Sequence, residues 1–199
     1  WENHIGRSLP YWKNNFSLLK SYFPEQLNNI NYKSFYNACN NVKPSLIRTN
    51  ADELTYHLHV LIRYEIEKGL IEGSINVNDL PLIWNEKYYK YLGIKVPNDS
   101  MGVLQDIHWS HGSFGYFPTY TLGSFYAAQF YNKASTEISD INLKIEKGNT
   151  VELLNWLRKN IHNHGERYDA KDLCKMLTGE ELNFKYFMDY AKNKYSKIY

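Results

Sequence analysis

The sequence predicts an all-α protein. Apolar residues recur at helical spacing, most clearly over 50–71, and Pro and Gly punctuate the chain at helix-like intervals. Only one stretch, 42–49 (VKPSLIRT), has the composition of a strand, so one short hairpin or strand is expected there. In order, a first helix is expected over 10–22. Ser8 or Leu9 precedes it, Pro10 suits its first turn, Phe16, Leu19 and Phe23 recur at helical spacing, and Pro24 closes it. Residues 32–40 read as a short helix. The helix over 50–71 has Asn50 as cap and Glu53 three residues later, as in a capping box. Its apolar stripe is Leu54, Leu58, Leu61, Ile62 and Ile66, with Gly73 just past its end. The next helix, 78–91, has Pro81 in its first turn and Gly93 as its stop.

Residues 99–120 break the pattern. Gly102, Gly112, Gly115 and Pro118 oppose a long helix, while Trp109, Phe114, Tyr116, Phe117 and Tyr120 add bulk, so an ordered functional loop is expected. Helices follow over 121–134, 150–161, 170–178 and 180–196. No linker or internal repeat marks a boundary, and 1–199 reads as a single helical region.

The 199 residues are long enough for a buried core, and 43% hydrophobic with 22% charged residues excludes wholesale disorder. A net charge of +2 argues against a nucleic-acid footprint. Runs of apolar residues fall short of a membrane span. Cys39 and Cys174 are far apart, which excludes a disulfide scaffold and a Cys-type zinc site and fits reduced thiols in a cytoplasm. Trp1-Glu2-Asn3-His4 lacks the features of a signal peptide and reads as a cut into a longer protein. With 18 Lys against 5 Arg, each arginine marks a place where a planar fork matters.

Metal and nucleophile motifs are sparse. HExxH, a Gly-x-Ser-x-Gly elbow and phosphate-binding glycine loops are all absent. His57 and His59 are two apart and point to different sides of a helix. His162, His164 and Glu166 read as a solvated loop. The densest chemistry is Gln105, Asp106, His108 and His111, followed by Tyr116 and Tyr120. A His oriented by Asp, with a Tyr hydroxyl nearby, can donate to a developing oxyanion. A buried His held by Asp among packed Tyr rings explains the same residues equally well.

Residues 102–109, GVLQDIHW, match GxxQDxHW, and residues 47–52, IRTNAD, match I(R/A)xxAD. With LTYHLHVLIRYEIEKGLI, GSFGYFPTYTLGSFYAAQ and the opening WENHIGRS, the chain resembles the Taq-type zinc metallocarboxypeptidases over essentially its whole length. The resemblance implies the C-terminal region of a neurolysin-like helical peptidase that removes C-terminal residues from peptides. It also implies that the zinc ligands and the general base lie upstream of Trp1, so zinc or a similar divalent metal belongs to the full-length enzyme and none is expected here.

By the same resemblance His108 is the first catalytic candidate, with Tyr120 and then Tyr116 as further donors. Arg48 is a candidate for the substrate carboxylate, and Trp109 lines the substrate wall. Asp106, Gln105 and Asp52 support them from behind. Arg63 reads as a structural ion-pair partner. The implied partners are a peptide substrate, the missing N-terminal part and, at full length, a second copy in a homodimer, with no nucleic acid or membrane. The competing reading is a non-enzymatic helical module that binds peptide or sugar through exposed aromatics.

Overall fold

The computed structural model describes residues 1–199 and is helical throughout, with no strand. The α-helices are α1 (Leu9–Tyr22), α2 (Pro24–Leu27), α3 (Tyr32–Cys39), α4 (Tyr56–Ile71), α5 (Leu80–Leu92), α6 (Phe117–Glu137), α7 (Ile141–Glu146), α8 (Val151–Asn160), α9 (Ala170–Thr178) and α10 (Lys185–Tyr195). A π-helical turn spans Glu2–Gly6. The residues form two compact units, one of Trp1–Asn40 with Ser124–Tyr199 and one of Asn41–Gly123.

The expected strand at 42–49 does not form. Residues 41–45 are irregular and Arg48–Asn50 make a 3-10 turn. Pro44 removes a ladder donor, and an all-helical chain offers this segment no strand to pair with. It is tied down by a side chain instead. The Lys43 amide donates to Asp52 Oδ2 at 3.0 Å.

The unit of Asn41–Gly123 is organised by α4 against α5. Its core holds Ile62, Ile66, Trp84, Tyr88 and Leu92, with Leu58, Val96, Val103 and Trp109 packed around it. Helix α4 begins later than the capping box at Asn50 and Glu53 suggests. Asp52 instead closes the turn that leads into it, accepting from the amides of Leu54 and Thr55 at 2.9 Å each and from the Thr55 hydroxyl at 2.6 Å. Gly93 ends α5 at φ +70°, a left-handed turn that glycine adopts without strain.

In the other unit, Ser8 caps α1 through the Tyr11 amide and Pro10 sits in its first turn. The core there joins Ala134, Ile138, Ile141, Ile145, Leu153 and Trp156. Helix α7, which the sequence reading passed over, supplies two of these residues. Helix α6 starts at Phe117, earlier than expected, because Pro118 in a first turn costs no intrahelical hydrogen bond.

Candidate functional site

The site of interest lies within the Asn41–Gly123 unit. It starts from one face of α4, where Thr55, His59, Arg63 and Glu67 follow at intervals of four and are all buried. Four polar groups on a buried stripe each need partners. They find them on α5 and on the loop that runs from 102 to 116.

Arg63, with no exposed surface, donates from Nε to Asp106 Oδ2 at 2.5 Å, and its Nη2 pairs with the same oxygen. Its Nη1 reaches the His59 carbonyl at 2.9 Å and the Tyr88 hydroxyl at 3.3 Å. Arg48, 7% exposed, donates from Nε and Nη2 to Asp106 Oδ1 at 3.1 and 2.8 Å. Its Nη1 donates to the Tyr56 hydroxyl at 3.0 Å. One carboxylate thus bridges two forks, and the trio carries one more positive than negative charge. Burial alone would raise the Asp106 pKa, but the hydrogen bonds and charges of both arginines outweigh it and hold the carboxylate below its usual range. The same pairing raises Arg48 despite its burial. The aromatic rings of Phe117, Tyr120 and Tyr56 flank the Arg48 guanidinium, and those of Trp84 and Phe117 flank Arg63.

Beside this trio, His108 Nε2 lies 3.2 Å from the Tyr120 hydroxyl, and its Nδ1 is 3.8 Å from Asp106 Oδ1. The ring packs on Phe117 at 4.4 Å and stacks with Tyr116 at 5.7 Å. Burial lowers the His108 pKa. Asp106 opposes that shift, while Arg48, His111 and Arg63 add to it, so the imidazole is neutral near pH 7. Burial raises the Tyr120 hydroxyl, so it stays a proton donor. The direction of the shared bond follows the tautomer. With the proton on Nε2 the imidazole donates, and the tyrosine proton turns to another acceptor, the neighbouring Tyr116 hydroxyl among them; with the proton on Nδ1, facing Asp106, Tyr120 donates to Nε2.

The residues singled out in the sequence fall into two groups. His108, Tyr120, Tyr116, Arg48 and Asp106 converge, with Tyr116 49% exposed at the edge. The others do structural work as placed. Asp52 accepts from the amides of Lys43, Leu54 and Thr55 and from the Thr55 hydroxyl, and so holds the turn that leads into α4. The Gln105 amide is turned back to the Ser100 carbonyl. The indole of Trp109 packs edge-on to Trp84 and donates to Glu67 Oε1 at 2.8 Å. Arg63 is an ion-pair partner, as its place on the long helix suggested. Tyr56, Tyr88, Glu67 and Phe117 were not anticipated. The stripe Thr55-His59-Arg63-Glu67, polar at every fourth position and adjoining the apolar Leu58, Ile62 and Ile66, was the available signal.

No three His, Cys, Asp or Glu side chains of these 199 residues gather as a metal site. His57 faces the Thr121 hydroxyl and His59 the Tyr88 hydroxyl, each at 3.0 Å, and burial lowers both imidazoles to about 4.

The carboxypeptidase Taq (M32) metallopeptidase family model matches residues 1–195. The chain belongs to that family. It is 45% identical over 199 residues to carboxypeptidase 1 of Bacillus subtilis, covering all of this chain and 40% of that protein. The solved M32 carboxypeptidase of Deinococcus radiodurans R1 superposes with a TM-score of 0.97 at 38% identity, over 100% of this chain and 40% of that one. A solved structure described as CHT is 58% identical with a TM-score of 0.95, over 98% and 39%. The chain thus spans about two-fifths of the length of its M32 relatives. No helix is long and apolar enough to cross a membrane.

Proposed function

We propose that this chain is the C-terminal region of an M32 metallocarboxypeptidase that removes C-terminal residues from peptides, and that it supplies hydrogen-bond donors and positive charge to the reacting peptide. The metal, proposed to be zinc, supplies Lewis-acid activation when bound, and its ligands belong to the part of the enzyme beyond these 199 residues. The observation that carries the reading is the His108–Tyr120 contact of 3.2 Å, set beside a doubly paired Asp106. In the Nε2–H tautomer His108 donates to Tyr120 Oη. The Tyr120 proton then points on to the carbonyl oxygen of the substrate as negative charge develops there.

Arg48 has its Nε and one Nη2 hydrogen on Asp106 and one Nη1 hydrogen on Tyr56. Its remaining outer hydrogens and the surplus positive charge of the trio suit the terminal carboxylate of a peptide. Tyr116 closes the exposed side of the His108 ring. A second copy of the chain in a homodimer and a cytoplasmic location belong to this proposal as well.

The test is His108→Ala in the full-length enzyme, with bound metal measured alongside peptide hydrolysis. The reading expects kcat to fall about 10²–10³-fold, the size found for loss of one such donor, at unchanged metal content. An unchanged kcat would sink it.

A further inference from the structure

Glu67 plays no part in the chemistry described so far, yet it is a carboxylate only 4% exposed. Its two oxygens divide between two partners on the same loop. Oε1 accepts from the Trp109 indole at 2.8 Å, and Oε2 accepts from the Gly115 amide at 3.1 Å. Trp109 directly follows His108, and Gly115 directly precedes Tyr116. One carboxylate therefore holds the two immediate neighbours of the paired rings, His108 and Tyr116, from opposite ends of the turn between them.

The geometry of the loop is made for this contact. Gly112 and Gly115 both have positive φ, +83° and +78°, which turns the Gly115 amide toward α4. The turn is closed from within by the Ser113 amide on the His108 carbonyl at 2.8 Å. One helical turn earlier on the same face, Arg63 holds Asp106, two residues before His108. A rigid helix thus fixes the loop at 106, 109 and 115, at a spacing set by its own pitch of about 5.4 Å.

We propose that Glu67 is a positioning residue for His108 and Tyr116, acting through Trp109 and Gly115. It touches no substrate. Its role is to keep the two rings in the geometry that the Tyr120 donor requires, and in that sense it rests on the function proposed above. A glutamine in its place has the same shape, but its NH2 meets one of the two N–H donors head-on, so one of the two bonds is lost.

The experiment compares Glu67→Gln and Trp109→Phe with wild type. In the full-length enzyme, Glu67→Gln should lower kcat about a hundredfold per folded molecule, the scale set by an ångström of misplacement, with KM and bound metal unchanged. Trp109→Phe, which also removes one bond but sets no two donors against each other, should lose less. In the 199-residue chain, NMR should show the Trp109 indole N–H shifted on Glu67→Gln, and the His108 titration moved toward an ordinary imidazole value. A purely structural carboxylate would lower the unfolding midpoint and leave kcat per folded molecule and the His108 titration untouched, and that result overturns the proposal. If His108→Ala and Tyr120→Phe leave hydrolysis intact, the functional reading fails by itself. The two resonances then still decide whether Glu67 sets the loop.

Discussion

Replacing Asp106 by asparagine should cost more stability than most substitutions in this chain. The side chain is 12% exposed and neutralises Arg48 and Arg63, whose side chains are 8% and 0% exposed. Asparagine keeps the volume but withdraws the charge, so two guanidiniums remain in a poorly solvated site without a counter-ion. Removing one partner of a buried pair costs about 3–5 kcal/mol, a large fraction of the roughly 5–15 kcal/mol that holds a typical domain together. For a chain of this size that corresponds to a fall in Tm of roughly 6–20 °C. Urea unfolding of wild type and Asp106→Asn at pH 7 reads the difference directly.

The pH dependence supplies a second check. The native pKa of Asp106 lies below its unfolded value, so its stabilisation is present in full above the unfolded value of 3.8. It is lost as pH falls through the depressed native value. The gap between wild type and variant should close over that window. A variant within about 1 kcal/mol of wild type at pH 7 would refute the account, because it would mean the two arginines do not need their shared carboxylate.

Other outcomes follow from the same structure. Ile66 has no exposed surface in the α4–α5 core, so Ile66→Ala should lose about 2–5 kcal/mol in chemical denaturation. Gly115 sits at φ +78° with nothing within 4 Å of an added Cβ, so Gly115→Ala should cost about 1–2 kcal/mol through backbone strain alone. A larger loss by thermal unfolding would point to a clash the structure does not contain. His4 is lowered to about 3 by burial and nearby positive charge, and His57 and His59 to about 4 chiefly by burial. The unfolded chain binds these protons near pH 6.5, so stability should decline as pH falls from 6.5 toward 4, by about 1–2 kcal/mol per histidine at pH 5. Equal denaturant midpoints at pH 7 and pH 5 would contradict that.

Helices with strong local signals were legible in the sequence. Ser8 with Pro10, Pro81 with Gly93, and the stripe through Ile62 and Ile66 name α1, α5 and α4 from short-range chemistry. The start of α4 was misread because Asn50 and Glu53 have capping-box spacing, while Asp52 wins through three local donors and the Lys43 amide. The strand at 42–49 failed for want of a partner, which composition does not reveal. At the site, His108 and Asp106 stood out because chemistry clusters in GVLQDIHW, and Tyr120 only as one of two tyrosines, with Tyr116, that follow it. That Arg48 and Arg63 share one carboxylate was hidden, since it joins positions 48, 63 and 106 across the fold. Glu67 was hidden for the same reason: its partners lie at 109 and 115, and only the four-residue polar period of α4 hinted that it turns inward.

The central proposal is that this region holds the Tyr120 O–H, oriented by His108, as a hydrogen-bond donor to a peptide carbonyl. A double-mutant cycle on kcat in the full-length enzyme, with His108→Ala, Tyr120→Phe and the two combined, tests it most directly. If the pair acts as a unit, each single variant loses about 10²–10³-fold and the double variant loses little more than either, with metal content constant throughout. Independent, multiplying losses would show that the two side chains act separately, and wild-type turnover in Tyr120→Phe would contradict the account outright.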